Sequence, residues 1–241
     1  MDEQVRIAMW SGPRTLSTAM MRAWENRPDA VVVDEPLYAC YLAATGLDHP
    51  GRDDVLASQP TDWRTVVQQL TGAPLPAGTT IGYQKHMTHH VLPEVDLDAF
   101  AGLRHAFLLR DPRQLLASYA RVRSAPTLAD LGLTQQLELF RRFGGPVVDS
   151  GDLLRDPEGT LRALCAALEV PFDPAMLSWP AGRRSSDGVW APHWYASVET
   201  STGFGPYREQ PVELSPHLAE LADRCRPAYD EMAGHRLAGR S

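Results

Sequence analysis

Within the first 34 residues of the chain, two short apolar runs lie on either side of a segment whose apolar residues have the spacing of a helix. Residues 5–10 and 30–34 are apolar runs of strand length, and each ends at polar residues or a turn signal. Between them, Leu16, Met20 and Trp24 are spaced four residues apart, which predicts a helix over residues 15–26 with one buried face. A strand, a helix and a strand in this order predict a βαβ unit, in which a right-handed crossover joins two parallel strands.

The same alternation continues along the rest of the chain and predicts an α/β fold of three layers, with helices on both faces of a mostly parallel sheet. The last predicted helix, at residues 215–233, contains Pro227, which should kink or break it. Residues 171–213 are rich in proline, glycine and aromatic residues and predict an irregular segment that either covers a cofactor and acceptor site or wraps the core. We expect one domain over residues 1–241. Further strands are predicted at residues 80–84, 104–109 and 146–149, and further helices at 61–70, from 112 onward, and at 128–143, 160–168 and 215–233.

Composition excludes several classes of protein. The net charge of −7 argues against a broadly basic surface that binds nucleic acid. The three cysteines, Cys40, Cys165 and Cys225, are far apart and show no zinc-site or disulfide-framework spacing, which favours a reducing compartment. No apolar run reaches the roughly 18 residues of a membrane span, and the acidic N-terminus is unlike a signal peptide. We therefore expect a cytoplasmic protein without nucleic-acid or membrane partners, and composition leaves its oligomeric state open.

The turn after the first strand is suited to an anionic ligand. It reads SGPRTLST over residues 11–18, with a glycine and a proline to shape the turn, Arg14 to supply charge, and three hydroxyl side chains at Thr15, Ser17 and Thr18. Such a turn lies at the carboxyl edge of a parallel sheet, where a helix N-terminus attracts phosphate or sulfate. The GxxxxGK[ST] motif of nucleotide-hydrolysing P-loops is absent. An ordinary capped helix remains the alternative interpretation.

A second strand end repeats this pattern. The predicted strand at residues 104–109 runs into Arg110, whose guanidinium can bind a phosphate through two hydrogen bonds. Asp111 and Pro112 then start a helix, and Ser118 follows two turns along it. The alternative is a local ion pair between Arg110 and Asp111.

Together the two segments resemble the sulfotransferase family. SGPRTLST resembles its 5′-phosphosulfate loop, P-[KR]-S-G-[ST]-[ST], and LLRDPRQLLAS resembles its 3′-phosphate motif, R-D-P-x-x-x-x-x-S. Leu16 departs from the pattern, because the family usually has glycine there. The resemblance covers residues 5–122 and, more weakly, a later loop with Arg183, Arg184 and Trp190. It implies a sheet like that of P-loop nucleotide-binding proteins.

The resemblance implies that 3′-phosphoadenosine 5′-phosphosulfate is the sulfuryl donor, that adenosine 3′,5′-bisphosphate is the product, and that no metal takes part. Arg110 and Ser118 would hold the 3′-phosphate, helped by Arg183 or Arg184, and Trp190 would stack near the adenine. The phosphosulfate would be held by Ser11, Gly12, Pro13, Arg14, Thr15, Leu16, Ser17 and Thr18. The acceptor would be a small molecule that offers a hydroxyl in preference to an amine.

The catalytic candidates come from the chemistry of in-line transfer. Arg14 is placed to neutralise the leaving phosphate. Lys85 is the single lysine among 23 lysine and arginine residues, which suggests a role that arginine does not fill, although a surface lysine is the alternative. For the base, Glu35 follows the second strand in an EPL pattern found in some sulfotransferases, and the histidines His86, His89 and His90 are its rivals, with His86 first among them. The family's K-x-H pattern is not matched.

Three other interpretations stay open. His86, His89 and His90 lack the glutamate and cysteine partners of common metal sites, so we expect no metal there. A kinase with a degenerate P-loop would need a carboxylate for Mg²⁺, which Asp34 or Asp111 could supply. A non-catalytic nucleotide-binding protein would bind the product without turnover.

The aromatic segment at 190–207, with His193, either covers the acceptor or belongs to the core.

Overall fold

A computed structural model describes residues 4–121, 126–209 and 212–237 and shows a five-stranded sheet in the order β2-β3-β1-β4-β5. All four strand pairs are parallel. The predicted α/β class and parallel sheet are therefore confirmed. The strands are β1 (Val5–Ser11), β2 (Ala30–Asp34), β3 (Ile81–Met87), β4 (Arg104–Leu109) and β5 (Val147–Asp149).

Helices connect the strands and cover both faces of the sheet. On one face, Trp10 and Phe107 pack against four helices, α4, α5, α7 and α12; on the other, Met9 and Tyr83 pack against α1 and α9. Successive residues of β1 are buried on opposite faces, as a central strand of a three-layer sandwich requires. The helices of the described residues are α1 (Ser17–Glu25), α2 (Tyr38–Thr45), α3 (Arg52–Ser58), α4 (Trp63–Gly72), α5 (Pro112–Tyr119), α6 (Leu128–Leu131), α7 (Leu133–Phe143), α8 (Ser150–Arg155), α9 (Pro157–Ala167), α10 (Ala191–Trp194), α11 (Ala196–Glu199) and α12 (Pro216–Ala233).

Three details of the predicted elements were wrong. Strand β3 continues three residues beyond residue 84, so Lys85 and His86 lie inside it. The helix predicted at 128–143 is two helices, because Gly132 adopts a φ of +63° between α6 and α7. Helices α2, α3 and α8 were not predicted.

Helix α12 continues through Pro227, so the predicted break was also wrong. Proline removes one hydrogen bond to the carbonyl four residues earlier, which belongs to Asp223. Both residues are exposed, so water can satisfy that carbonyl. No helix in the described ranges is long and apolar enough to cross a membrane.

The described parts of residues 171–213 contain only short helical pieces, namely a 3₁₀ turn at Pro174–Leu177 and the four-residue helices α10 and α11. Buried contacts fix this segment to the domain. Arg22 of α1 and Asp187 form an ion pair of 2.6 Å, in which neither side chain is more than 1% exposed. The Asn26 amide donates to the carbonyls of Ala175 and Ser178. The segment is thus held as a wall against α1.

Candidate functional site

A cavity of about 280 Å³ lies at the carboxyl edge of the sheet, where strands β1, β3 and β4 end. The phosphate-loop residues border one side of it, and the segment at 190–207 closes another. Its wall is formed by Pro13, Arg14, Thr15, Leu16, Ser17, Thr18, Ala19, Glu35, Tyr38, His49, Lys85, Met87, His89, His90, Arg110, Tyr119, Leu154, Trp194, Tyr195, Ser197, Val198, Ser201, Gly203, Phe204 and Gly205.

The loop between β1 and α1 turns through two left-handed residues, Arg14 with a φ of 59° and Leu16 with a φ of 67°. This conformation favours glycine, so Leu16 occupies a glycine-type position at a cost of roughly 1–2 kcal/mol. Helix α1 begins at Ser17 and has no side-chain cap at its N-terminus. Its first backbone N–H groups therefore remain free of side-chain partners, and Ser17 and Thr18 border the cavity beside them.

Two arginines bring the two predicted phosphate-binding segments into contact. The Arg14 Nε donates to the Ser118 hydroxyl at 3.1 Å, and the Arg110 Nη1 donates to the Arg14 carbonyl at 2.8 Å. Burial lowers the pKa of both guanidinium groups, and the positive charge of Arg14 lowers that of Arg110 further. Among the described residues, neither arginine has a carboxylate within ion-pair distance. An anionic ligand at the α1 N-terminus would supply the missing negative charge.

A second charged cluster lies across the cavity around Lys85. The Lys85 ammonium lies 2.8 Å from the Asp34 carboxylate, 2.5 Å from the Glu35 carboxylate and 2.7 Å from the Tyr195 hydroxyl. Strand pairing explains part of this arrangement, because Lys85 is opposite Asp34 in the register of β2 and β3. Although burial opposes it, the two carboxylates raise the pKa of Lys85. The ammonium is therefore charged throughout the physiological range.

Glu35 is buried at the cavity wall in a left-handed conformation, with a φ of 41°. Its backbone N–H donates to the Lys85 carbonyl, and its own carbonyl accepts from the Gln59 amide. Burial raises the pKa of Glu35, while the charge of Lys85 opposes that rise. A carboxylate of raised pKa beside a cavity is suited to accept a proton from an alcohol.

The family model for the sulfotransferase domain matches residues 5–234 of this chain. The chain belongs to the sulfotransferase family. Solved structures share the fold: the sulfotransferase domain of the curacin biosynthetic pathway is 14% identical with a TM-score of 0.54 and covers 98% of this chain and 99% of its own. The sulfotransferase domain of the olefin synthase of Synechococcus PCC 7002 is 21% identical with a TM-score of 0.54, covering 93% of this chain and 95% of its own.

Two relatives of known sequence come from Arabidopsis thaliana. Branched-chain-amino-acid aminotransferase-like protein 1 is 38% identical over 98% of this chain and 43% of its own length. Branched-chain-amino-acid aminotransferase-like protein 2 is 34% identical over 95% of this chain and 41% of its own length. This sulfotransferase chain therefore spans less than half of the length of either relative.

The structure does not bring His86 to the cavity of this sulfotransferase. Neighbouring residues of a strand point to opposite faces of the sheet, so Lys85 faces the cavity and His86 faces the core beneath it. The His86 ring stacks on Trp10 at 4.3 Å, and its Nε2 lies 3.0 Å from the Gln84 side-chain oxygen. Burial lowers the pKa of His86 to about 3. His86 is thus a neutral core residue, and the hypothesis that it is the base is withdrawn.

Two other histidines of this run, His89 and His90, do border the cavity. The His90 ring is buried and stacks on Tyr38 at 4.5 Å and Tyr41 at 4.9 Å. Burial lowers its pKa well below the usual value, so the ring is neutral. These rings contribute flat, weakly polar surface to the side of the cavity that faces away from the arginines.

Several predicted donor-binding residues lie off the cavity wall. Ser11 and Gly12 are buried below it, where the Ser11 hydroxyl donates to the His86 carbonyl. Trp190 is 1% exposed, because its ring packs over Gly188, and so it cannot stack on an adenine. Ser118 contacts Arg14 instead of bordering the cavity.

Arg183 and Arg184 also face away from the cavity. The Asp187–Arg22 ion pair draws their loop towards α1, where Arg183 lies 3.7 Å from Glu199 and Arg184 donates to the Pro180 carbonyl. The wall also contains Tyr38, His49 and Tyr195, none of which was predicted individually from the sequence. Only the aromatic composition of residues 190–207 indicated that one of them would cover the site.

Neither predicted magnesium carboxylate is available. Asp34 accepts hydrogen bonds from Lys85, from the Tyr195 hydroxyl and from the Gly188 backbone. Asp111 caps α5 and forms an ion pair with Arg226 at 2.9 Å. In the described ranges, no group of three or more His, Cys, Asp or Glu residues is arranged to hold a metal ion.

Proposed function

We propose that this sulfotransferase moves a sulfuryl group from 3′-phosphoadenosine 5′-phosphosulfate to the hydroxyl of a small-molecule acceptor. The observation that carries the proposal is the pair of partly buried arginines, Arg14 and Arg110, that have no carboxylate partner among the described residues and border the same cavity as Lys85 and Glu35. Two cations without an ion-pair partner in the described ranges, next to a helix N-terminus without a side-chain cap, suit a ligand with two separated anionic groups.

The donor fits the arginine side of the cavity. The phosphosulfate would lie against the first N–H groups of α1 and the hydroxyls of Ser17 and Thr18, with Arg14 beside it. The 3′-phosphate would lie against Arg110, which follows the last residue of β4. Because Arg110 donates to the Arg14 carbonyl, one nucleotide could reach both arginines with its two anionic groups.

The reaction would take place between Lys85 and Glu35. Glu35 would accept the acceptor's hydroxyl proton as the acceptor oxygen forms its bond to sulfur. The bond between sulfur and the bridging oxygen would break, and its electron pair would stay on that oxygen as part of the departing phosphate. Lys85 and Arg14 would stabilise the charge on the departing phosphate. A compact ammonium and a planar guanidinium would thus act on different oxygens of one group.

The acceptor would occupy the side formed by Tyr38, His90 and Trp194. This surface consists of aromatic and neutral histidine rings, since burial keeps the His90 ring uncharged. The Tyr38 hydroxyl and the His49 Nδ1 lie 2.9 Å apart, so one polar pair is already satisfied there. An uncharged organic molecule with a hydroxyl suits this wall better than an anionic one.

The proposal is tested first by ligand binding. Thermal unfolding is measured with adenosine 3′,5′-bisphosphate and, separately, with ATP and Mg²⁺. We expect the bisphosphate to raise the melting temperature by roughly 5–10 °C at a hundred times its dissociation constant. A preference for ATP that depends on Mg²⁺ would instead favour a kinase.

Catalysis is then tested with ³⁵S-labelled donor and a panel of phenols, aliphatic alcohols and amines. Transfer of label to at least one alcohol, with release of adenosine 3′,5′-bisphosphate, supports the proposal. Binding of the bisphosphate with no transfer to any member of a broad panel would favour a nucleotide-binding protein without this activity.

A further inference from the structure

Lys85 has three N–H donors, and all three are occupied. Asp34, Glu35 and Tyr195 each offer one acceptor oxygen within 2.8 Å of its nitrogen. If Lys85 is to donate to a substrate oxygen, one of these partners must be exchanged. The identity of that partner decides where the ammonium sits during the reaction.

Tyr195 and Asp34 are held too firmly to be the exchanged partners. The Tyr195 hydroxyl donates to Asp34 at 2.6 Å, so it receives the Lys85 hydrogen through a lone pair, and Trp190 donates to it as well at 3.2 Å. Asp34 receives a further hydrogen bond from the Gly188 backbone at 3.1 Å. Each bonding position of the Tyr195 hydroxyl is therefore occupied.

Glu35 differs from Asp34 in its access to the cavity. Its side chain forms part of the cavity wall, whereas Asp34 does not border the cavity. A substrate oxygen that enters the cavity can therefore approach the Lys85–Glu35 contact but not the Lys85–Asp34 contact. Exchange of this one contact leaves the ammonium anchored at two points and frees the Glu35 oxygen that it held.

We propose that Tyr195 is a positioning residue, which together with Asp34 holds the Lys85 ammonium at the cavity wall so that only its contact with Glu35 exchanges for a substrate oxygen. This inference rests on the proposed function. It assigns a role to a hydroxyl from the irregular segment, 110 residues along the chain from Lys85. The segment thus supplies an anchor for the reacting cation as well as a wall.

The test compares Tyr195→Phe with Tyr83→Phe. Tyr83 is a matched control, because its buried hydroxyl has no hydrogen-bond partner among the described residues and it lies on the same face of β3 as Lys85. We expect Tyr195→Phe to lower kcat roughly tenfold or more, the effect of losing a hydrogen bond to a charged group. Its affinity for adenosine 3′,5′-bisphosphate should stay within about threefold, and Tyr83→Phe should change neither quantity.

A double-mutant cycle separates positioning from a structural effect. In a Lys85→Arg background, Tyr195→Phe should cause a much smaller loss of rate than in the unaltered protein, because the ammonium that it positions is gone and only its other hydrogen bonds, among them one to Glu35, are left to lose. An equal loss in both backgrounds would overturn the proposal. So would a Tyr195→Phe variant with the kcat of Tyr83→Phe.

A spectroscopic readout keeps the test independent of turnover. Lys85 is the single lysine of the sequence, so ¹⁵N-lysine labelling gives one side-chain ammonium signal. We expect Tyr195→Phe to shift that signal and speed its hydrogen exchange, and Tyr83→Phe to leave it in place. An unmoved signal in Tyr195→Phe contradicts the anchor. If the unaltered protein transfers no sulfuryl group, the proposed function fails, and the signal still decides whether Tyr195 holds Lys85.

Discussion

The two sides of the cavity differ in whether their cationic side chains are paired with carboxylates. On the side that we propose for the donor (the donor side), Arg14 and Arg110 hold positive charge with no carboxylate of the described residues within ion-pair distance. On the reaction side, Lys85 is surrounded by Asp34, Glu35 and Tyr195, with distances of 2.5–2.8 Å. The donor side therefore suits an anionic ligand. On the reaction side, two carboxylates already compensate the charge of the ammonium, so its groups become reactive only by exchanging partners.

Substitutions on the reaction side should have the largest effect. Glu35→Gln keeps the shape of the side chain but cannot accept a proton, so kcat should fall by about 10²–10⁴. Affinity for adenosine 3′,5′-bisphosphate should change by less than about threefold, since the arginines are untouched. Rates measured with labelled donor at saturating alcohol check this expectation. His86→Asn on the opposite face of β3 is the control, and its rate per folded molecule should stay within about threefold.

The pH profile gives a second check on Glu35. Burial raises the pKa of Glu35, and a base must be deprotonated to act. Activity should therefore be present above the raised pKa and be lost as the pH falls through it, at a pH above the 4.5 of an ordinary glutamate. An acidic limb at or below that value, or one that persists in Glu35→Gln, would assign the base elsewhere.

Substitutions on the donor side should act on affinity instead. Arg110→Gln removes a guanidinium that has no carboxylate within ion-pair distance among the described residues, so adenosine 3′,5′-bisphosphate should bind roughly 10- to 100-fold more weakly. Isothermal calorimetry on Arg110→Gln and Arg162→Gln provides the measurement and its control, because Arg162 forms a surface ion pair with Glu158 on α9. Equal affinities in the two variants would mean that the 3′-phosphate lies elsewhere.

The donor side was largely predictable from sequence. A strand end and the next helix start lie within a few residues of each other, so local order alone predicted residues 13–18 and Arg110, which border the cavity. Trp190 was wrongly placed because packing over Gly188 buries its ring, and no local pattern shows that. His86 was wrongly placed because β3 extends past residue 84, so its neighbour Lys85 takes the cavity face.

The reaction side was only half predictable. Lys85 was found from its rarity and Glu35 from its place after a strand. Tyr195 could not be found, since its contact with Lys85 joins residues 110 apart and arises from how the irregular segment packs. The fold class can be predicted from the alternation of strands and helices along the sequence, whereas the partners of a buried charge are set by tertiary packing.

The substitutions with the smallest expected effect are at Leu16, in the loop between β1 and α1. They test whether this loop keeps its left-handed turn although a leucine occupies a position that favours glycine. Leu16 has a φ of 67° and packs partly against the core below α1. Leu16→Ala loses that packing and keeps the strain, whereas Leu16→Gly loses the packing and the strain together. We expect Leu16→Gly to be roughly 0.5–1 kcal/mol more stable to unfolding than Leu16→Ala, as measured by urea denaturation.

The sign of the difference in unfolding free energy between Leu16→Gly and Leu16→Ala decides the test, because glycine normally makes a protein less stable than alanine does at the same position. Ala166 on the exposed face of α9 is the reference site, where Ala166→Gly should cost about 1 kcal/mol. If glycine is the less stable residue at position 16 as well, the loop does not hold the left-handed turn that leaves the first N–H groups of α1 uncapped. The donor side would then lack the preformed anion site that distinguishes it from the cluster around Lys85, in which the ammonium is already paired with carboxylates.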